Sequence, residues 1–136
     1  MIKTVILVCA GGALGAMLRE FLMLMVPTGS RGFPLDILAA NLVAALLLGL
    51  VAGLNRRKVA SDEVYALIGT GITGGLSTFS SFAYGSTELM TRSATGAVVA
   101  AAYVLTSLML GYLAAVVGMR IGEQGHWKLT RSRKPG

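Results

Sequence analysis

Four long apolar runs constrain this chain more than any other feature. They cover about residues 4–26, 34–54, 64–90 and 94–121, and charged residues are rare inside them. Because roughly 20 apolar helical residues cross a bilayer core of about 30 Å, each run is long enough for one crossing. Charged residues make up 13% of the chain, against about 25% in a typical soluble domain. The sequence therefore predicts an all-α membrane protein with four transmembrane helices.

The basic residues lie mostly outside these runs. Much of the net charge of +6 comes from Arg56, Arg57 and Lys58 and from the end of the chain. Such clusters flank membrane spans on the cytoplasmic side, so we expect both termini in the cytoplasm and no nucleic-acid partner. The four spans form one domain, residues 1–121. Residues 122–136 are expected to be a basic tail that is disordered or was added by cloning, and without that tail the charge bias is weak enough for insertion in both orientations.

Cysteine and histidine usage excludes several chemistries. The single Cys9 cannot form an intramolecular disulfide, and the single His126 lies in the basic tail. Zinc hydrolases and Cys/His nucleophiles are therefore not expected, and no phosphate-binding loop is present in the sequence. We expect a protein that is not an enzyme.

Pairs of glycines recur at four-residue spacing in the apolar runs. In lipid, close backbone approach through small residues supplies much of the packing between helices. One four-helix chain is too thin to enclose a solvated pathway, so we also expect an oligomer, most simply a two-fold dimer. The pairs are Gly11 with Gly15, Gly49 with Gly53, Gly71 with Gly75, and Gly118 with Gly122.

Residues 69–82 do not resemble an ordinary membrane helix. This stretch holds four glycines and six hydroxyl residues at mid-membrane depth. Glycine costs about 1 kcal/mol per helical position relative to alanine, and Ser and Thr offer the backbone competing hydrogen bonds. The composition predicts a helix break near Gly74 and Gly75, whose freed carbonyls could bind a cation such as sodium. The alternative is a glycine-rich packing seam with neither break nor ion.

Several strings carry a resemblance to a known family. They are Gly11-Gly12-Ala13-Leu14-Gly15 followed by Arg19, then Ala39-Ala40-Asn41-Leu42, then Thr70-Gly71, and finally Gly74-Gly75-Leu76-Ser77-Thr78-Phe79-Ser80-Ser81-Phe82. Over about residues 3–120 the chain resembles the CrcB/Fluc fluoride channels. The resemblance implies a bacterial inner-membrane channel that exports fluoride passively and lowers its toxicity in the cytoplasm. It also implies a dual-topology, antiparallel homodimer or paired heterodimer with a broken third helix.

The resemblance further implies a sodium ion and a fluoride pathway. The structural sodium would lie at the dimer centre, bound by the backbone carbonyls of Gly74 and Ser77 from both subunits. By the same resemblance, Arg19 would attract anions at the vestibule. The implied fluoride pathway consists of Asn41, Thr78, Phe79, Ser81, Phe82, Tyr103 and Ser107.

Each pathway residue also has a purely structural interpretation. Phe79 and Phe82 share one helical face, and such a pair is often core packing, although the electropositive ring edges can also contact an anion. Asn41 needs a hydrogen-bond partner in an apolar span, and another helix can supply it. Arg19 can extend to the membrane interface.

Two positions depart from the family pattern. Asp36-Ile37 stands where a Gly-Thr pair is common, and Gly85 stands where an acidic residue is usual. Glu88 lies about 300° further round the same helix and does not occupy the same point.

Two other functions remain open from the sequence. A small proton-coupled multidrug exporter shares the length, four spans and dual topology, but it requires a membrane-embedded carboxylate. Glu20 and Glu88 lie near span ends, where they are poorly placed for that task. An assembly or scaffold subunit would leave the hydroxyl-rich stretch unexplained.

Overall fold

A computed structural model of the chain describes residues 1–26 and 33–131, with side chains as far as Gln124. In these ranges every element of regular secondary structure is a helix, which confirms the all-α prediction. The connection between the first two apolar runs, residues 27–32, lies outside them. The elements are α1 (Ile2–Met25), α2 (Leu35–Arg56), α3 (Asp62–Val64), a π-helical segment (Tyr65–Ile72), α4 (Thr73–Leu76), α5 (Phe79–Thr91) and α6 (Gly96–Arg131).

Four crossings are built from these elements. Within the described residues, α1, α2 and α6 are long and apolar enough to cross a membrane. The third crossing, residues 62–91, consists of α3, the π-helical segment, α4 and α5, with a break before α5. The expected four-helix architecture with a broken third helix is thus confirmed. The helical backbone of α6 continues past residue 121, where the tail was expected to begin, as far as Arg131.

Glycine pairs form two close seams between helices, as the four-residue spacing predicts. A Cβ atom on Gly15 of α1 would lie 2.1 Å from the carbonyl oxygen of Ile72 in the third crossing. A Cβ atom on Gly118 of α6 would lie 2.1 Å from the carbonyl oxygen of Leu46 in α2. Both distances are far below van der Waals contact, so no side chain fits between these backbones. The seams pair α1 with the first half of the third crossing and α2 with α6.

The π-helical segment was not expected from the sequence. It spans Tyr65–Ile72, and its buried Gly69 and Gly71 face the interior. Gly71 lies against α1, where an added Cβ would be 2.9 Å from the Gly11 Cα atom. The Thr73 hydroxyl donates to the Gly69 carbonyl one turn earlier. Wide turns of this kind occur often at functional sites, and this one leads directly into the break.

The outer surface is apolar rather than charged. Leu24 of α1 is 85% exposed and Leu105 of α6 is 62% exposed, whereas the largest fully buried side chains are Tyr103 and Leu76. An unpartnered surface of this kind is unfavourable in water and favourable in lipid. The chain is a multi-pass membrane protein.

Candidate functional site

The break in the third crossing lies at Ser77 and Thr78. Ser77 ends α4 with extended backbone (φ −73°, ψ 150°), and Thr78 precedes α5 with φ −143° and ψ 110°. The Thr78 hydroxyl caps α5 by accepting from the Ser81 N–H at 3.2 Å, as N-cap threonines commonly do. The break was expected near Gly74 and Gly75, but both glycines remain helical in α4.

Asn41 of α2 holds the broken backbone with its side-chain amide. The Thr78 N–H donates to Asn41 Oδ1 at 2.8 Å, and Asn41 Nδ2 donates to the Thr78 carbonyl at 3.4 Å. Thr78 is only 6% exposed. Because buried backbone groups require partners, the amide takes the place of hydrogen bonds that a regular helix would supply.

The same contacts leave two carbonyls free. In a continuous helix the Gly74 carbonyl would accept from the Thr78 N–H, and the Ser77 carbonyl from the Ser81 N–H. The first donor is bonded to Asn41 and the second to the Thr78 hydroxyl. In the part of the chain that the structure describes, neither carbonyl accepts another hydrogen bond.

The free carbonyls fit the chemistry of a small hard cation. Gly74 and Ser77 both line a pocket of about 490 Å³, which Asn41 and Thr73 also line. Both residues are exposed, and a Cβ on Gly74 would meet nothing within 4 Å. Backbone carbonyl oxygens are hard ligands. The two carbonyl oxygens of one subunit would supply part of the coordination shell of the cation, and other ligands would supply the rest.

A second pocket brings most of the predicted pathway residues together. It has a volume of about 280 Å³ and lies where the break faces α2 and α6. The Phe79 and Phe82 rings lie side by side with centroids 6.1 Å apart and planes at 39°. We call it the break pocket; its lining consists of Asn41, Ser77, Thr78, Phe79, Phe82, Ser107 and Leu108.

Two hydroxyls near the break pocket lack partners. Tyr103 is completely buried, and its ring lies 5.4 Å from the Phe82 ring, measured between centroids. Among the described residues, neither Tyr103 Oη nor Ser107 Oγ forms a hydrogen bond of good geometry, although both atoms are buried and the two hydroxyls lie near each other. An unsatisfied buried hydroxyl costs about 1–3 kcal/mol. These hydroxyls are therefore available to a ligand that accepts hydrogen bonds.

Ser81 and Arg19 lie at the margins of the break. The Thr78 hydroxyl donates to Ser81 Oγ at 2.9 Å, and Ser81 lines a further pocket. Arg19 Nη1 donates to the Gly75 carbonyl at 3.4 Å, and Arg19 Nη2 pairs with Glu20. The guanidinium thus places positive charge at the end of α4.

Sequence reasoning missed Phe33. Its ring packs edge-on against Tyr103, with centroids 5.2 Å apart and planes at 90°, and so fixes the tyrosine from the side opposite Phe82. Phe33 lies in the loop before α2, where no helical periodicity marks a buried position. One feature of the sequence could have indicated a buried position there: a large aromatic residue stands beside Pro34, at the start of an apolar run.

Comparisons with known proteins point to one family. The family model for CrcB-like protein, Camphor Resistance (CrcB), matches residues 6–119. A protein of Brucella melitensis named fluoride-specific ion channel FluC 2 is 56% identical over 124 residues, which cover 91% of this chain and 46% of that protein. The FluC 3 channel of Yersinia pseudotuberculosis is 47% identical over 91% of this chain and 92% of its own length. The FluC 2 channel of Rhodococcus jostii is 40% identical over 87% of this chain and 97% of its own length.

The relatives differ in length. This chain spans about half of the Brucella proteins that it matches. It covers nearly all of the Yersinia and Rhodococcus proteins.

Proposed function

The chain belongs to the CrcB-like protein family, and from that membership we propose that it is a fluoride-selective channel through which fluoride leaves the bacterial cytoplasm across the inner membrane. The break pocket carries this proposal. It joins two phenylalanine rings, an amide and a buried hydroxyl without a partner. Relatives that are named fluoride-specific ion channels support the same substrate.

The groups around the pocket suit a small, strongly hydrated anion. Fluoride loses its hydration shell only where donors or electropositive edges replace the water. The Ser107 hydroxyl supplies one donor, and the edges of Phe79 and Phe82 supply positive potential. The Tyr103 hydroxyl, buried behind Phe82, supplies a second donor. Thr78 and Ser81 extend the hydroxyl line along the third crossing.

Asn41 has two tasks in this proposal. Its Oδ1 accepts a hydrogen bond from the Thr78 N–H, and its Nδ2 donates one to the Thr78 carbonyl. These two bonds hold the break. A primary amide carries two N–H donors. The second N–H is then free to donate to fluoride in the break pocket.

A second copy of the chain completes the proposed cation site. Gly74 and Ser77 contribute two free carbonyls per subunit, and an antiparallel homodimer would bring four around one structural sodium at the dimer centre. The exposed apolar faces of α1 and α6 provide surface for the partner and for lipid. The bound sodium would add a fixed positive charge near both anion routes, and Arg19 would raise the local anion concentration at a vestibule.

Fluoride export through such a channel needs no enzymatic step. A cell interior that is negative favours the exit of a monovalent anion by about 2.3 kcal/mol per 100 mV. The chain therefore acts as a passive conductor, and its activity is transport rather than catalysis.

The drug-exporter alternative is less well supported by the geometry. Such an exchanger needs an embedded carboxylate that alternates between a proton and a cation. Glu20 is paired with Arg19 and Glu88 with Arg92. The Glu20 side chain is 66% exposed and the Glu88 side chain 41% exposed. Neither is a buried, solitary acid, and Asp36, whose Oδ1 is buried and unpaired among the described residues, lies in the first turn of α2 near the end of its span.

Ion release from liposomes tests the proposal. Purified protein is reconstituted into vesicles loaded with potassium fluoride or potassium chloride, and valinomycin is added to carry the compensating potassium. We expect rapid fluoride loss, no chloride loss and no proton-driven exchange of a cationic drug. Folded protein that releases no fluoride would refute the channel function, and drug exchange would favour the exporter.

A further inference from the structure

A third pocket is lined by Ser81, which does not line the break pocket. It has a volume of about 490 Å³ and is formed by the start of α2, by residues along the whole of α5 as far as Arg92 just beyond it, and by one residue of α1. Gly85 forms part of its wall, and a Cβ there would lie 3.2 Å from Pro34 Cγ, so α2 and α5 are in close contact at its base. We call it the Asp36 pocket.

The pocket is linked to the proposed pathway by one contact between two hydroxyls. Ser81 lines the Asp36 pocket, and its Oγ accepts from the Thr78 hydroxyl at 2.9 Å. Thr78 lines the break pocket. An anion that reaches Ser81 from the Asp36 pocket is therefore adjacent to Thr78, which would be the next group of the pathway to contact it.

Asp36 places an unusual charge in this pocket. It lies in the first turn of α2, yet its side chain does not cap the helix. Asp36 Oδ1 is fully buried and forms no hydrogen bond among the described residues. Glu88 and Arg92, which also line the pocket, form an ion pair with each other. In the described part of the chain the pocket's net charge is thus that of Asp36.

We propose that Asp36 is an electrostatic brake on this fluoride pathway, a side chain that lowers the local concentration of anions at Ser81 and so limits throughput. This inference rests on the proposed channel function. A carboxylate at the mouth of an anion route opposes the field that Arg19 would create at the break. The negative charge repels each arriving fluoride without blocking its way.

The expected effect follows from Coulomb's law. For a charge about 10 Å from the anion, effective dielectric constants of about 80 and about 20 correspond to roughly two- and fifteenfold changes in anion occupancy. Neutralising Asp36 should raise the fluoride rate within this range at low ionic strength. At about 1 M of an impermeant salt the Debye length falls to about 3 Å, so the gain should largely disappear.

The test compares Asp36→Asn with the unsubstituted protein in the same liposome assay. Rates are measured at low and at high concentrations of potassium glutamate. Glu63→Gln is the matched control. It removes the carboxylate of Glu63, which lies in the third crossing, pairs with Lys3 and is away from the pocket. We expect Asp36→Asn to conduct two- to fifteenfold faster at low salt only, and Glu63→Gln to conduct like the unsubstituted protein.

Asp36→Ser provides the second variant if the asparagine protein does not fold, because serine is well tolerated at a helix start. An unchanged or slower rate in the folded neutral variant would overturn the proposal. A faster rate that persists at high salt would also overturn it, because that result identifies a change of shape rather than charge. If the unsubstituted protein releases no fluoride, the channel function itself fails.

Discussion

Replacing Asn41 should uncouple the two halves of the third crossing. The Asn41 side chain forms both non-helical hydrogen bonds to the Thr78 backbone, at 2.8 and 3.4 Å. In Asn41→Leu both bonds are lost, and the Thr78 N–H remains buried. Two bonds are worth about 1 kcal/mol each, and an unsatisfied buried group costs about 1–3 kcal/mol more. We therefore expect the free energy of unfolding to fall by about 3–5 kcal/mol.

The helix has one way to reduce this loss. The Thr78 N–H can return to the Gly74 carbonyl and close the break, which would remove a proposed sodium ligand. In either case fluoride release from liposomes should fall to the background of empty vesicles. Denaturant unfolding in detergent measures the stability, and the liposome assay measures the transport.

Two further variants separate stability from transport. Asn41→Asp keeps an oxygen for the Thr78 N–H but places a negative charge beside the anion route, so it should lose transport while retaining most of the stability. Asn55→Leu is the control, since Asn55 bonds to Ala60 and Asp62 in the connection between α2 and α3; it should cost about 1–2 kcal/mol, because two bonds are lost but no buried N–H is left without a partner. If Asn41→Leu unfolds within about 0.5 kcal/mol of the unsubstituted protein and still transports fluoride, Asn41 does not hold the break.

Three more predictions test packing, ring edges and the cation. Gly118→Ala should lower the unfolding free energy by about 1–3 kcal/mol because its Cβ meets the Leu46 carbonyl, whereas Gly111→Ala, whose Cβ meets nothing within 4 Å, should be neutral or stabilising in the same measurement. Phe79→Ile and Phe82→Ile should each slow fluoride release at least tenfold while preserving the proposed dimer on size-exclusion chromatography; unchanged rates in both would remove the rings from the pathway. Replacing sodium with N-methyl-D-glucamine during purification should lower the unfolding midpoint and the fluoride rate, and equal midpoints in the two cations would argue against bound sodium.

Much of the architecture could be predicted from local sequence. Apolar runs reveal membrane crossings because each run must match the bilayer thickness. The spacing of Gly15 and Gly118 with their partners predicts close packing, since only small residues allow two backbones to meet. The residues that line the break pocket come from three helices. The resemblance to the family, and not the periodicity of the sequence, predicted that most of them lie together.

The break position could not be predicted from composition. Glycine content pointed to Gly74 and Gly75, but Asn41 determines the site by bonding to Thr78, which is 37 positions away in the sequence. The π-helical turn depends in the same way on the packing of Gly71 against α1. Local propensity indicates how unfavourable a break in the helix is, whereas contacts between residues distant in the sequence determine the position of the break.

Electrical recording measures fluoride conduction through the protein itself. A planar bilayer that contains the purified protein separates two chambers with different fluoride concentrations and equal chloride. The account predicts a current that reverses at the fluoride equilibrium potential and does not shift when chloride or pH differs between the chambers. A current that follows the chloride or proton gradient, or no current from protein that is folded and inserted, would contradict it.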